Sequence, residues 1–170
     1  ADADPDSPLA NTYAAMLFLF LEAPDAAAHA APFFERAQGA IKRADKRESL
    51  NLDFARAWGD GALDRALQIG ATINADFPRD LVILKLRQYL LFNRGDAAGM
   101  LRAAEEVFDA NRDVAQMHGM IAFAFEQCHL LEEAEEAART AIALKQKEPW
   151  AQHALAHVMI TQGRIDEGAR

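Results

Sequence analysis

The sequence is short of cysteine, of long apolar runs and of basic charge, and each shortage argues against a class of protein. A single cysteine, Cys128, excludes a framework of internal disulfides and favours a reducing, cytoplasmic location. The apolar run 14–21 is too short to span a bilayer and is typical of a buried helix. The net charge is −8, with 18 lysines and arginines against 26 acidic residues, so neither nucleic acid nor an anionic membrane is an expected partner.

Signals for β-structure are also missing. No run of alternating β-branched residues is present, which argues against a sheet. The chain contains 37 alanines, and alanine is both the strongest helix former and small enough for helices to pack closely. The composition therefore predicts an all-α fold.

Apolar periodicity and capping residues predict where the helices lie. We expect helices at 8–22, 32–44, 46–59, 63–76, 80–94, 97–110, 114–128, 131–145, 149–162 and 165–170. Three prolines suit first-turn positions in these helices, namely Pro8, Pro32 and Pro149. Two pairs have the spacing of a capping box, Asp45 with Glu48 and Asp113 with Gln116.

Turn signals recur at a constant interval along the chain. Gly61, Gly95, His129 and Gly163 open four similar segments, each 34 residues after the previous one. Glycine suits this place because it readily adopts the left-handed backbone that ends a helix. A period of 34 is that of tetratricopeptide repeats, in which antiparallel helix pairs stack because one pair cannot bury its apolar face alone. We therefore predict a tetratricopeptide-like right-handed superhelix of antiparallel helix pairs.

The period also predicts the domain organisation. Residues 45–170 form the repeats, at about 47–80, 81–114, 115–148 and an incomplete 149–170. Residues 1–44 are out of register and form either a degenerate helix pair or an N-terminal cap. Because repeat arrays usually finish with a polar capping helix, we expect the chain to be part of a longer protein.

Five segments carry a resemblance to a known family. They are DLVILK at 80–85, HGMIAFA at 118–124, AEEAA at 134–138, WAQHALAHV at 150–158 and QGRIDEG at 162–168. Over about 63–168 the sequence resembles the N-terminal half of the tetratricopeptide repeat protein 38 family, and the last two segments are the most specific. The resemblance implies a helical-repeat fold with no established catalytic activity.

Resemblance to tetratricopeptide arrays also implies which residues face a partner, because the first helix of each pair lines a concave face there. The corresponding positions are Asn51, Ala55, Trp58, Val82, Lys85, Tyr89, Phe92, Gln116, Gly119, Phe123, Glu126, Trp150, His153, His157 and Ile160. The aromatic and ionisable members are the predicted binding residues: Trp58, Lys85, Tyr89, Phe92, Phe123, Glu126, Trp150, His153 and His157. Such a stripe predicts a scaffold that binds a protein or peptide, assembles as a homo-oligomer, or is covered by the rest of the same protein.

Two histidines support an alternative, a ligand- or metal-binding subunit. His153 and His157 stand four residues apart on one helix face, a spacing that can chelate zinc if further ligands exist. His118 and Glu126 are candidates for those ligands, but they lie a repeat away. The alternative site is a pocket formed with Trp150.

Nothing in the sequence predicts an enzyme. Cys128 and His129 are adjacent, and neighbouring residues on a helix do not face each other. The glycines at 95–99 belong to a helix–helix turn and not to a phosphate-binding loop. We therefore expect no catalytic residues and no cofactor.

Overall fold

A computed structural model describes residues 4–168 of the chain, all as helices and their connections, with no strand in that range. The chain divides into two compact units, the first ending at Phe77 and the second beginning at Pro78. No helix in the described part of the chain is both long and apolar enough to cross a bilayer. The predicted all-α fold is confirmed.

The first unit contains four helices, in which α1 packs against α2 and α3, and α3 packs against α4. Their bounds are α1 Pro8–Phe20, α2 Ala26–Gly39, α3 Lys46–Gly59 and α4 Leu63–Asp76, with a 3₁₀ turn at Ile41–Arg43. Phe54 of α3 is fully buried, and its ring meets that of Trp58 edge-on at 6.4 Å. Trp58 in turn packs against a cluster of α1 and α2 side chains that includes Leu19.

In the second unit each helix packs against the next one along the chain, and α7 also packs against α5 and α9. The bounds are α5 Leu81–Asn93, α6 Ala97–Phe108, α7 Ala115–Gln127, α8 Leu131–Leu144, α9 Pro149–Thr161 and α10 Ile165–Gly168, with a 3₁₀ turn at Asp109–Asn111. The last predicted helix reached residue 170, and residues 169 and 170 lie outside the described part of the chain.

Small side chains hold the second unit together. Ala122 and Ala124 of α7, Ala138 of α8 and Ala154 of α9 are fully buried in one cluster. A methyl side chain loses no rotamer freedom in a helix and lets neighbouring backbones approach closely. The abundance of alanine thus explains how α7 can pack tightly against both α8 and α9.

The four turns of the 34-residue period share one geometry. Gly61, Gly95 and Gly163 have φ of 73°, 72° and 73°, and His129 has φ of 60°. At His129 the chain forms a Schellman motif, in which Leu130 N donates to Phe125 O at 3.0 Å and His129 N donates to Glu126 O at 2.9 Å. The same pair of hydrogen bonds closes the other three turns. The predicted period is therefore present in the backbone.

We expect His129→Gly to stabilise the protein by about 1 kcal/mol. A side chain with a Cβ in the left-handed region costs about 1–2 kcal/mol, and glycine avoids this cost while losing more backbone entropy on folding. Urea denaturation of the two proteins measures the difference. The reverse change at an equivalent turn, Gly95→Ala, should destabilise by a similar amount, and a gain in stability from it would contradict the explanation.

The second helix differs from its prediction. It begins at Ala26 instead of residue 32 and ends at Gly39 instead of residue 44. Pro32 therefore lies inside the helix, and its assignment to a first turn was wrong. The alanine-rich stretch before Pro32 has a strong enough helix preference to extend the helix across a residue that lacks an N–H donor.

One of the two predicted capping boxes is present. Asp45 and Glu48 form it at the start of α3, each side chain accepting a hydrogen bond from the other residue's backbone N–H. The second was wrong, because Val114 precedes α7 and Asp113 instead pairs with Arg79 at 3.1 Å. A carboxylate has a stronger partner in a guanidinium than in one backbone N–H. The first-turn prolines at α1 and α9 are confirmed: Pro8 and Pro149.

Candidate functional site

A solvent-exposed apolar depression of about 360 Å³ lies on the second unit, between side chains of α5, α7 and α9. It is lined by Leu81, Val82, Lys85, Leu86, Gln116, Met120 and Trp150. Large apolar side chains remain exposed beside and within it, with Val82 at 46%, Phe92 at 45% and Trp150 at 37%. We call the depression, together with the adjoining rings of Phe92, Phe123, His153 and His157, the aromatic groove.

The rings of the aromatic groove form a continuous ladder across three helices. Ring centroids are 5.6 Å apart between Phe92 and Phe123, and 5.8 Å apart between Phe123 and Trp150. His153 lies 5.8 Å from Phe123 and 5.9 Å from Trp150, and its ring is 4.2 Å from that of His157. Tilted and edge-on contacts at such distances are the favourable arrangements for aromatic pairs, so the ladder holds these side chains in fixed positions.

A lysine lies within this ladder. The Lys85 Nζ atom is 3.2 Å from the centroid of the Trp150 ring and 5.5 Å from that of Phe123, which places its charge against two π-systems. Burial lowers the pKa of Lys85 from 10.5 to about 8, while the negative charge of Glu148 acts in the opposite direction. Within residues 4–168 no carboxylate lies at ion-pair distance from Lys85. The groove therefore contains a desolvated cation without a direct counter-ion.

Polar and ionisable side chains also lie where His153 and His157 end the aromatic groove. His157 Nδ1 lies 3.4 Å from a carboxylate oxygen of Glu126, an ion pair when the imidazole is protonated. The pKa of His153 is lowered, mainly by burial and further by the neighbouring His157. His153 thus favours its neutral form, and His157 makes the contact with Glu126 at this end of the groove.

The start of α9 fixes Trp150 and His153 in place. Glu148 is only 2% exposed, and its carboxylate accepts a hydrogen bond from Ala151 N at 2.6 Å, capping the helix. The carboxylate fits because α7 has Gly119 opposite, where a Cβ would overlap the Glu148 side chain.

Of the nine predicted binding residues, the structure places eight in the second unit. Lys85, Phe92, Phe123, Glu126, Trp150, His153 and His157 are connected by the contacts above, and Tyr89 lies half-buried on α5. Trp58 belongs to the first unit and is half-buried against its core. Asn51 and Ala55, which the concave-face pattern also included, are fully buried in α3.

Several residues of the site were not predicted. Leu81, Leu86 and Met120 line the depression, yet their helices are apolar on more than one face, so periodicity does not separate groove from core. Glu148 had a usable signal, because it directly precedes a proline at the first turn of a helix, which is where a capping side chain belongs.

Metal ligation has little geometric support at the two histidines. In the described part of the chain no three side chains among histidine, cysteine, aspartate and glutamate are grouped so that they could hold a metal ion. His118, considered as a further ligand, packs edge-on against Phe108 and has its Nε2 atom 2.9 Å from the carbonyl oxygen of Arg112.

Comparison with solved structures identifies the fold class. TTC0263, a thermophilic TPR protein of Thermus thermophilus, superposes with a TM-score of 0.65 at 22% identity, over 93% of this chain and 86% of that one. MamA 41-end from Desulfovibrio magneticus RS-1 gives 0.60 at 16% identity, over 91% and 89%. The structure named MamA MSR-1 C2 gives 0.56 at 18% identity, over 94% and 91%. The chain has a tetratricopeptide-repeat (TPR) fold, and no protein-family model matches its sequence.

Proposed function

We propose that this protein is a non-catalytic helical-repeat scaffold that binds a protein partner in the aromatic groove. The observation that carries the proposal is an apolar depression with exposed aromatic rings fixed around one desolvated lysine. Exposed apolar surface of this kind marks interaction sites, and aromatic anchors contribute most to binding energy there.

The chemistry of the groove defines the partner segment. Apolar side chains of the partner would fill the space between Val82, Met120 and Trp150. A carboxylate of the partner would lie against Lys85, whose charge has no direct counter-ion in the described part of the chain. Such a pair would form in a desolvated setting, where a charge-assisted hydrogen bond is stronger than at an open surface.

We further propose membership of the tetratricopeptide repeat protein 38 family, on the strength of the segments at 150–158 and 162–168. We propose with it the division into repeats over 45–170, preceded at 1–44 by a degenerate helix pair or an N-terminal cap. The single cysteine and the acidic composition support a cytoplasmic protein that contacts neither nucleic acid nor membrane.

Binding through the groove is tested by comparing Trp150→Ala with the wild-type protein. Partners captured from an extract of the source cells are identified by quantitative mass spectrometry, and the dissociation constant of each is then measured with purified protein. We expect Trp150→Ala to weaken binding at least about 30-fold, as loss of an aromatic anchor does. Leu144→Ala removes an apolar side chain that is 53% exposed on α8 and should leave binding unchanged.

Equal binding by wild-type protein, Trp150→Ala and Leu144→Ala would refute the groove as the binding site. Sedimentation velocity over a range of concentrations distinguishes a foreign partner from a second copy of the chain. If the occupant is a second copy, the wild-type protein self-associates and Trp150→Ala does not.

A further inference from the structure

A second depression, of about 570 Å³, lies on the same unit between α6 and α8, above α7. Its floor is apolar and is formed by Phe108, His118, Ile121, Phe125 and Ala137. Its rim is acidic and polar and is formed by Glu105, Asp109, Glu133, Glu136 and Thr140. We call this depression the acidic trough. It shares no lining residue with the aromatic groove.

The floor of the acidic trough is a fixed surface. Ile121 is 5% exposed and belongs to a core cluster against which Phe108, Phe125 and Ala137 pack. His118 is held by its contact with the Arg112 carbonyl oxygen at 2.9 Å and by the edge-on ring of Phe108 at 5.3 Å. An occupant would therefore meet a preformed aromatic and aliphatic surface, with no ordering of the floor on binding.

Most of the rim charge is unbalanced. Asp109 pairs with Arg112 at 2.6 Å, which neutralises one carboxylate. Within residues 4–168 no cation lies at ion-pair distance from Glu105, Glu133 or Glu136. These three glutamates come from both helices that border the trough. Negative charge on two sides of an apolar floor is complementary to a ligand that is both basic and apolar.

We propose that the acidic trough binds a basic amphipathic segment of a protein partner. The aliphatic stem of an arginine or lysine would lie on Phe108, Ile121 and Phe125, with its charged group directed at the rim glutamates. Long basic side chains combine such a stem and head group, and arginine also stacks on aromatic rings. Because the uncompensated glutamates lie on both sides, a chain segment with several cations satisfies them better than a single small cation.

A second copy of this chain is a poorer occupant than a foreign segment. The densest basic cluster of the sequence lies at 42–47. Two of its members already face carboxylates, since Lys46 pairs with Asp76 at 2.9 Å and Arg43 lies 3.8 Å from Asp4 and 3.9 Å from Asp6. Docking this cluster into the trough would require breaking those pairs, whereas a foreign segment need not.

The test uses a short fluorescein-labelled helical peptide of leucine and arginine, with the arginines on one face. Its uncharged control is the same peptide with citrulline in place of every arginine. Fluorescence anisotropy measures binding to wild-type protein, to Glu105→Gln/Glu133→Gln/Glu136→Gln, and to the charge-matched control Glu35→Gln/Asp53→Asn/Glu132→Gln. The control removes the same number of charges from exposed positions that do not line the trough.

We expect the arginine peptide to bind the wild-type protein and the control alike, and the trough variant at least about tenfold more weakly. The citrulline peptide should bind none of them, and Ile121 methyl resonances should shift when the arginine peptide is added. The Trp150→Ala variant should bind the arginine peptide as the wild-type protein does. The experiment therefore tests the acidic trough separately from the proposed binding in the aromatic groove.

Four outcomes would overturn the proposal. Three of them are absence of peptide binding by the wild-type protein, an equal loss of binding in the trough variant and its charge-matched control, and unchanged Ile121 methyl resonances. Self-association of the wild-type protein that disappears in the trough variant, without peptide binding, would assign the trough to a second copy and would also overturn it.

Discussion

Gly119→Ala is expected to destabilise the second unit by about 3 kcal/mol. A Cβ at this position would overlap the carboxylate of Glu148 and lie 3.3 Å from the backbone nitrogen of Ala151. Glu148 is 2% exposed and caps α9, so it can move aside only by leaving Ala151 N without its acceptor. Overpacking in a core costs about 1–3 kcal/mol and loss of a cap about 1 kcal/mol.

Urea denaturation measures this effect, with circular dichroism following the helices of the whole chain and Trp150 fluorescence following the second unit in a Trp58→Phe background. The control is Gly39→Ala, because no atom lies within 4 Å of a Cβ built there. That substitution should be neutral or stabilising. Glu148→Asp keeps a carboxylate at the cap and shortens the side chain, so the double variant Gly119→Ala/Glu148→Asp should lose less stability than the two single changes added together. Strict additivity would contradict the overlap as the cause.

Lys85→Met is expected to stabilise the protein by about 2 kcal/mol at pH 7 while weakening partner binding. The pKa of Lys85 falls from 10.5 to about 8 on folding, mainly because burial disfavours its charge. A difference of that size corresponds to at most about 3 kcal/mol, which partial exposure and the lost contact with Trp150 reduce. Methionine has similar length, carries no charge and fills the same space.

The effect of Lys85→Met should depend on pH. Below pH 8 the lysine is charged in both the folded and unfolded states, so the folded protein carries the full desolvation penalty. Between pH 8 and 10.5 the folded state releases its proton before the unfolded state does, and the wild-type protein gains stability relative to the variant. Above pH 10.5 the lysine is neutral in both states and the penalty is absent.

Urea denaturation of both proteins at pH 7 and again near pH 10.5 tests this pH dependence. We expect the difference in free energy of unfolding between variant and wild-type protein to be largest at pH 7 and smaller near pH 10.5. A difference that is constant with pH would show that the methionine stabilises through packing alone. A lysine with a strongly lowered pKa in an apolar groove is a candidate binding residue, because ionisable groups perturbed in this way concentrate at functional sites.

The helices were predictable because their ends carry local signals. Asp45 with Glu48, and the prolines at α1 and α9, act through backbone groups within one helical turn, so the sequence alone defines them. The 34-residue period predicted the turn at His129 although this position is not a glycine. The prediction from local spacing was wrong where a residue distant in sequence binds the capping side chain. At Asp113 the carboxylate pairs with Arg79 and does not cap α7.

The candidate site was only partly predictable. Repeat register indicated Lys85, Phe123 and Trp150, and the structure connects all three through ring and cation–π contacts. The repeat register could not show that Lys85 is desolvated, because the rings that cover it belong to helices one and two repeats further along the chain. The acidic trough was not predicted at all, because side chains of three separate helices, α6, α7 and α8, have to come together to form its apolar floor and acidic rim.

Four exposed turns share a left-handed backbone and the same two hydrogen bonds. They divide the chain into segments of equal length with the same kind of junction at each end. Residues 96–129 run from just after one such turn to the end of the next. A gene that copies this stretch in tandem would add one antiparallel helix pair and reproduce the junctions already present on either side. The length of the protein can therefore change in steps of one such segment, by duplication or by engineering, without a new kind of connection.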